Sequence, residues 1–190
     1  MELLLGICLG IGLSAVCGFR VFVPFLIMSI ASLSGHLTLS PGFAWIGTYP
    51  ALISFATATV LEIAGYYIPW LDNLLDTIAT PAAIIAGTIA MASIALDLSP
   101  FLKWTLAIIA GGGTAALFQG TTTLVRGTST ATTGGLGNFA IASAEMGVSA
   151  LISLFAIILP FLTGILIIVT AFFILRKTFK RLTTKNTLGH

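Results

Sequence analysis

The chain has 190 residues, of which 57% are hydrophobic and only 7% charged, with a formal net charge of +2. Soluble domains carry roughly 25% charged residues, so this composition cannot cover a water-facing surface, and soluble enzymes and nucleic-acid-binding domains are excluded. A mean hydropathy of +1.11 and apolar runs of about 18 residues or more predict an all-α, polytopic integral membrane protein. The expected architecture is about five transmembrane helices with broken or re-entrant segments.

The first apolar run covers about Leu3–Leu33. It is too long for a single upright crossing of a core of about 30 Å, and it is interrupted by Gly18-Phe19-Arg20 and Pro24. Proline removes a helix hydrogen bond, and glycine lets another backbone come close. The run is therefore either one tilted helix kinked near Gly18–Pro24 or two half-helices forming a re-entrant element. The second reading puts Arg20 at membrane depth. Cys8 and Cys17 lie in this run without CxxC spacing and read as packing residues. The N-terminus lacks a basic n-region, so the run reads as retained rather than cleaved.

Ser34–Thr48 reads as a loop or interfacial segment, with Trp45 and Tyr49 suited to the headgroup belt. The second span, about Pro50–Ile68, carries Glu62 inside it. An aromatic and acidic interface follows, where Asp72 and Asp76 share a face if helical. A third span, about Ile78–Leu96, opens at Pro81. Ser99-Pro100 starts the fourth, about Phe101 to Phe118 or Val125. Within it, Gly111-Gly112-Gly113 weakens a helix unless another backbone packs there.

The stretch Thr121–Asn138 is rich in threonine and glycine and carries Arg126. It reads as a second broken segment, because unwound backbone at membrane depth is tolerated only against protein or a water-filled cavity. The fifth span is read as about Val148–Leu175, bent at Pro160 or Gly164. Arg176, Lys177, Lys180, Arg181 and Lys185 follow it. By the positive-inside rule, residues 176–190 form a basic cytoplasmic tail, and residues 1–175 form a single transmembrane domain. A weak echo between Gly12-Leu13-Ser14-Ala15 with Arg20 and Gly113-Thr114-Ala115-Ala116 with Arg126 fits an inverted repeat of the kind seen in transporters.

Charges inside a bilayer cost a few kcal/mol each, so Arg20, Glu62, Arg126 and Glu145 are the informative residues, with Asp72 and Asp76 next. They either pair to fasten helices or line a polar cavity in which arginine holds an anionic group. Thr128 and Asn138 add a hydroxyl and an amide to the candidate set. His36 and His190 stand apart from such clusters. No metal or cofactor motif is recognised, and none is expected.

Gly18-Phe19-Arg20, Glu62 followed by Pro69-Trp70-Leu71-Asp72-Asn73-Leu74-Leu75-Asp76, and Gly137-Asn138 followed by Glu145 resemble a family of small bacterial membrane proteins described as domain of unknown function 4126. The resemblance implies a polytopic helical protein of the bacterial inner membrane and carries no established activity. From the residues, the leading expectation is a transporter or channel for a small solute or ion, with an anionic species favoured by the arginines. Proton or sodium coupling would run through the carboxylates, and Asp72 and Asp76 would line the outer mouth. The lipid bilayer is the expected partner. A homo-oligomer is also expected, from the small span number and the small-residue face Gly6, Gly10, Gly12 and Ser14. The rival readings are a membrane enzyme acting on a lipid-linked substrate and a non-catalytic scaffold.

Overall fold

The fold is that of a computed structural model, which describes residues 1–96 and 98–187, without the side chains of 69–73, 76, 179 and 181–187. Its helices in chain order are α1 (Glu2–Cys17), α2 (Phe22–Leu33), a 3₁₀ turn (Pro41–Gly47), α3 (Tyr49–Tyr66), α4 (Pro69–Ile94) and α5 (Pro100–Leu106). A π-helical segment (Ala107–Gly112), α6 (Gly113–Thr133), α7 (Asn138–Ile158) and α8 (Pro160–Thr187) complete it. Among the described residues, four helical stretches are long and apolar enough to cross a membrane, or five if the 3₁₀ turn and α3, bent by 65°, count as one broken span. The protein is a polytopic α-helical membrane protein.

The first apolar run is not one kinked helix. It forms two short helices of 16 and 12 residues, about 24 and 18 Å long at 1.5 Å per residue, both shorter than a bilayer core of about 30 Å. They fold back as a hairpin: one groove is lined by both Glu2–Leu9 residues and His36–Thr38. Leu9, Leu13 and Cys17 share a core with Phe25, Met28 and Leu37. The hairpin tip is Gly18–Val21, so the sequence break places Arg20 at the inner end of the element.

Within the bundle α1 packs mainly against α4 and α8, and α2 against α3 and α7. The small face of α1 is used inside the chain: Gly10 faces Met91, Gly12 faces Ala156, and the Ser14 hydroxyl donates to the Gly87 carbonyl at 2.8 Å. That face therefore does not supply the argument for an oligomer drawn from it above. On α4, Ala79, Ala83, Ala86 and Ala90 recur at three- and four-residue steps and are buried, which lets neighbouring backbones approach.

Three expected boundaries shift. The stretch 121–133 is helical, as part of α6, and the break is confined to Gly134–Gly137, where Gly134 and Gly135 adopt φ of 64° and 91°. Its threonines remain helical because they bond the chain itself: Thr121 donates to the Leu117 carbonyl, Thr128 to Leu124 and Thr132 to Thr128. The run 148–175 is two helices, separated at Leu159 (φ −131°, ψ 60°). Pro160 cannot donate a helix bond and pushes the residue before it out of the α region. Finally, Pro81 lies inside α4 rather than opening it.

Candidate functional site

The hairpin tip needs partners for the first amides of α2, and α3 supplies them. One Glu62 oxygen accepts from the Val21 amide at 2.8 Å and the other from the Phe22 amide at 3.2 Å. A carboxylate at a helix N-terminus satisfies orphan N–H groups and complements the helix dipole. Replacing Glu62 by alanine is expected to destabilise the protein by about 1–2 kcal/mol, with Glu62→Gln costing less. Thermal unfolding of the two variants in detergent measures the difference.

With its tip held, the hairpin delivers Arg20 to a charged cluster. The Arg20 Nη2 donates to the Ala142 carbonyl at 2.8 Å and lies 3.8 Å from Oε2 of Glu145. Arg126, one helix away on α6, grips the same carboxylate at two points: its Nε donates to Oε1 at 3.2 Å and its Nη2 to Oε2. Both guanidinium carbons lie over the Tyr66 ring, at 4.2 Å for Arg20 and 4.0 Å for Arg126 from its centre. Cation–π contact of this kind contributes about 0.5–2 kcal/mol. All four residues are buried, with Arg20 1%, Arg126 3%, and Glu145 and Tyr66 each 6% exposed.

The chain thus brings Arg20, Arg126 and Glu145 together, with Glu62 capping the element that carries Arg20. Tyr66 escapes a reading that groups it with interfacial aromatics. The signal that finds it is its spacing from Glu62: i, i+4 on one helix puts both on the same face of α3. The cluster lies about 10 Å along α7 from its Asn138 end, in a helix about 31 Å long, and so about 5 Å from the middle of the helix.

Asn138 begins α7 on the same face as Glu145, buried, with its amide donating to the Thr130 hydroxyl at 3.1 Å. Thr128 is exposed and donates to the Leu124 carbonyl at 2.8 Å, away from the cluster. Asp72 and Asp76 fall within α4, but their side chains lie outside the described residues.

A family model described as domain of unknown function (DUF4126) matches residues 7–180. The chain belongs to this family. The match takes in most of α1 and α8 and every helix between them, including the hairpin tip and the α3, α6 and α7 segments that meet there. No curated protein and no solved structure matches the chain.

One detail of the family member's cluster separates it from a set of closed salt bridges. Arg20 has two donor nitrogens, Nε and Nη1, that are buried and have no hydrogen-bond partner. An unsatisfied buried donor costs about 1–3 kcal/mol, and more when charged. Two buried donors of Arg20 are thus left without an acceptor among the described residues.

Proposed function

We propose that the protein passes a small anionic solute or ion across the bacterial inner membrane, with the basic 176–190 tail on the cytoplasmic side. The two unpartnered Arg20 donors carry this reading. A guanidinium held by a carbonyl, a carboxylate and an aromatic ring, with donors left over, is positioned to bind an anion reversibly. In this reading Glu145 and Arg126 set the field around Arg20. Glu62 holds the hairpin, and Asp72 and Asp76 lie on the approach. Assembly as a homo-oligomer belongs to the proposal on the strength of the small span number alone.

Reconstituted vesicles loaded with chloride, nitrate, phosphate or acetate test it. Wild type should release at least one of these anions. Arg20→Gln should slow that release roughly 10- to 100-fold, the range expected for losing a charge-assisted hydrogen bond. A folded wild type that moves none of them defeats the proposal. The reading then left is a helix-fastening role, favoured by the two-point Arg126–Glu145 pair.

A further inference from the structure

The charged cluster lies at one end of α1. The other end opens into a groove of about 550 Å³, within the range of about 300–1,000 Å³ typical of sites that take organic ligands. Leu3, Gly6 and Leu9 on α1, Ile94 and Leu96 at the end of α4, and Leu106 on α5 form much of its wall. Its rim is open, with Leu3 52% and Leu96 36% exposed. Trp45, Tyr49, Phe101 and Trp104 are also exposed at this end of the bundle, as aromatics are where hydrocarbon meets headgroups. α8 starts here, with Gly164 against Cys8. It runs toward the hairpin tip, where Ile167 and Ile174 pack with Phe19 and Phe118. The groove is therefore on the side of the membrane away from the end of α8.

A cation is fixed beside it. Lys103 is three residues before Leu106 and so on its side of α5. The Lys103 ammonium donates to the Ser40 hydroxyl and lies 5.0 Å from the centre of the Phe43 ring. Ser40 is anchored in turn, its amide donating to the Ser93 carbonyl at 2.8 Å, next to Ile94 in the groove wall. Phe43 packs with Ile7, Met91 and Leu106, all three of which line the groove. A lysine ordinarily carries its strongly hydrated ammonium on a flexible stem. This one is held against the groove wall, and an ammonium has three donors, of which Ser40 takes one. Glu2 lines the same groove, so a positive and a negative group border one apolar slot.

We propose that this groove binds a membrane phospholipid with an amine-bearing headgroup, one acyl chain lying in the groove, the phosphate at Lys103 and the ammonium toward Glu2. Apolar burial alone does not select the occupant, because lipid tails are as apolar as the leucines of the wall. Selection comes from charge. At the edge of the hydrocarbon, opposite charges attract more strongly than in bulk water, and Lys103 and Glu2 match the two signs of a zwitterionic headgroup. A free phosphate has no chain for the groove, and a diacylglycerol has no phosphate for Lys103. The site lies at the opposite end of α1 from Arg20 and does not depend on the proposed transport.

Native mass spectrometry of the full chain in detergent tests the site, with dioleoyl phosphatidylethanolamine and dioleoylglycerol as probes that share their chains and differ in the headgroup. Wild type should bind the phospholipid at least about tenfold more tightly than the diacylglycerol, the factor of one charge-assisted contact. This comparison needs no variant to fold, and equal affinities overturn the proposal. Lys103→Gln should remove the preference and Lys103→Arg should keep it. A preference that survives Lys103→Gln overturns the assignment of the phosphate. Leu96→Trp, at the open wall of the groove, should weaken both lipids by filling the slot, and binding equal to wild type would place the chain elsewhere and overturn the site. Inorganic phosphate is the third probe. Phospholipid retained in its excess supports the lipid as occupant, whereas displacement by phosphate alone shows an anion site without a chain and overturns the proposal.

Discussion

Glu145→Leu is expected to be the most damaging single substitution in the charged cluster, costing about 3–5 kcal/mol of stability. One carboxylate serves two cations here. Its oxygens accept from Arg126 at two points, and Oε2 lies 3.8 Å from Arg20. Removing it leaves two guanidiniums over one Tyr66 ring with their shared counter-charge gone. Arg126→Met should cost less, because Glu145 keeps Arg20 beside it. The double variant Arg126→Met/Glu145→Leu should recover part of the loss, since one cation and its carboxylate then leave together. Unfolding of all three in the same detergent gives the coupling energy directly. Strict additivity of the two single losses would show that the pair is not coupled.

Gly111→Ala is expected to destabilise the bundle less, and for a different reason. A Cβ at Gly111 would sit 2.5 Å from the Gly87 carbonyl oxygen and 2.6 Å from the Met91 Cβ. Neither is the free end of a flexible side chain, so α4 and the π-helical segment would have to move apart. Overpacking of this kind costs typically about 1–3 kcal/mol. Gly113→Ala, two residues on, meets nothing within 4 Å and should be neutral or stabilising by about 0.5–1 kcal/mol, the helix preference of alanine over glycine. The unfolding temperatures of the pair should therefore move in opposite directions or differ by several degrees. Equal shifts would mean that the close approach at Gly87 carries no weight.

Much of this was legible in the residues because charge in an apolar chain is conspicuous. Arg20, Glu62, Arg126 and Glu145 stand out against their surroundings, and three of the four meet in one cluster. The broken first run was legible too, since Gly18 and Pro24 sit where a single helix would be too long. What stayed hidden depends on hydrogen bonds that hydropathy does not register. The threonines of α6 look like a polar loop by composition, yet each hydroxyl that bonds a carbonyl one turn back removes its own polarity from the surroundings. Pro160 marks a bend in the sequence, but that it separates two helices is masked by apolar residues on both sides, because a run of leucine and isoleucine reads the same whether one helix or two carry it. Tyr66 was hidden by its company: next to Tyr67 and Trp70 an aromatic looks interfacial, and only its spacing from Glu62 points inward.

A hairpin with Arg20 at its tip also cannot be completed when it is made. The carbonyl that accepts from Arg20 belongs to Ala142, 122 residues further along the chain. Elongation proceeds at about 5–20 residues per second, so roughly 6–25 s pass between the synthesis of the tip and the arrival of α7. Through that interval the guanidinium has neither Ala142 nor Glu145, and the aqueous interface is where it is cheapest to keep. The hairpin is thus made well before the residues that hold Arg20 at its final depth, and its packing is completed only once α7 has followed.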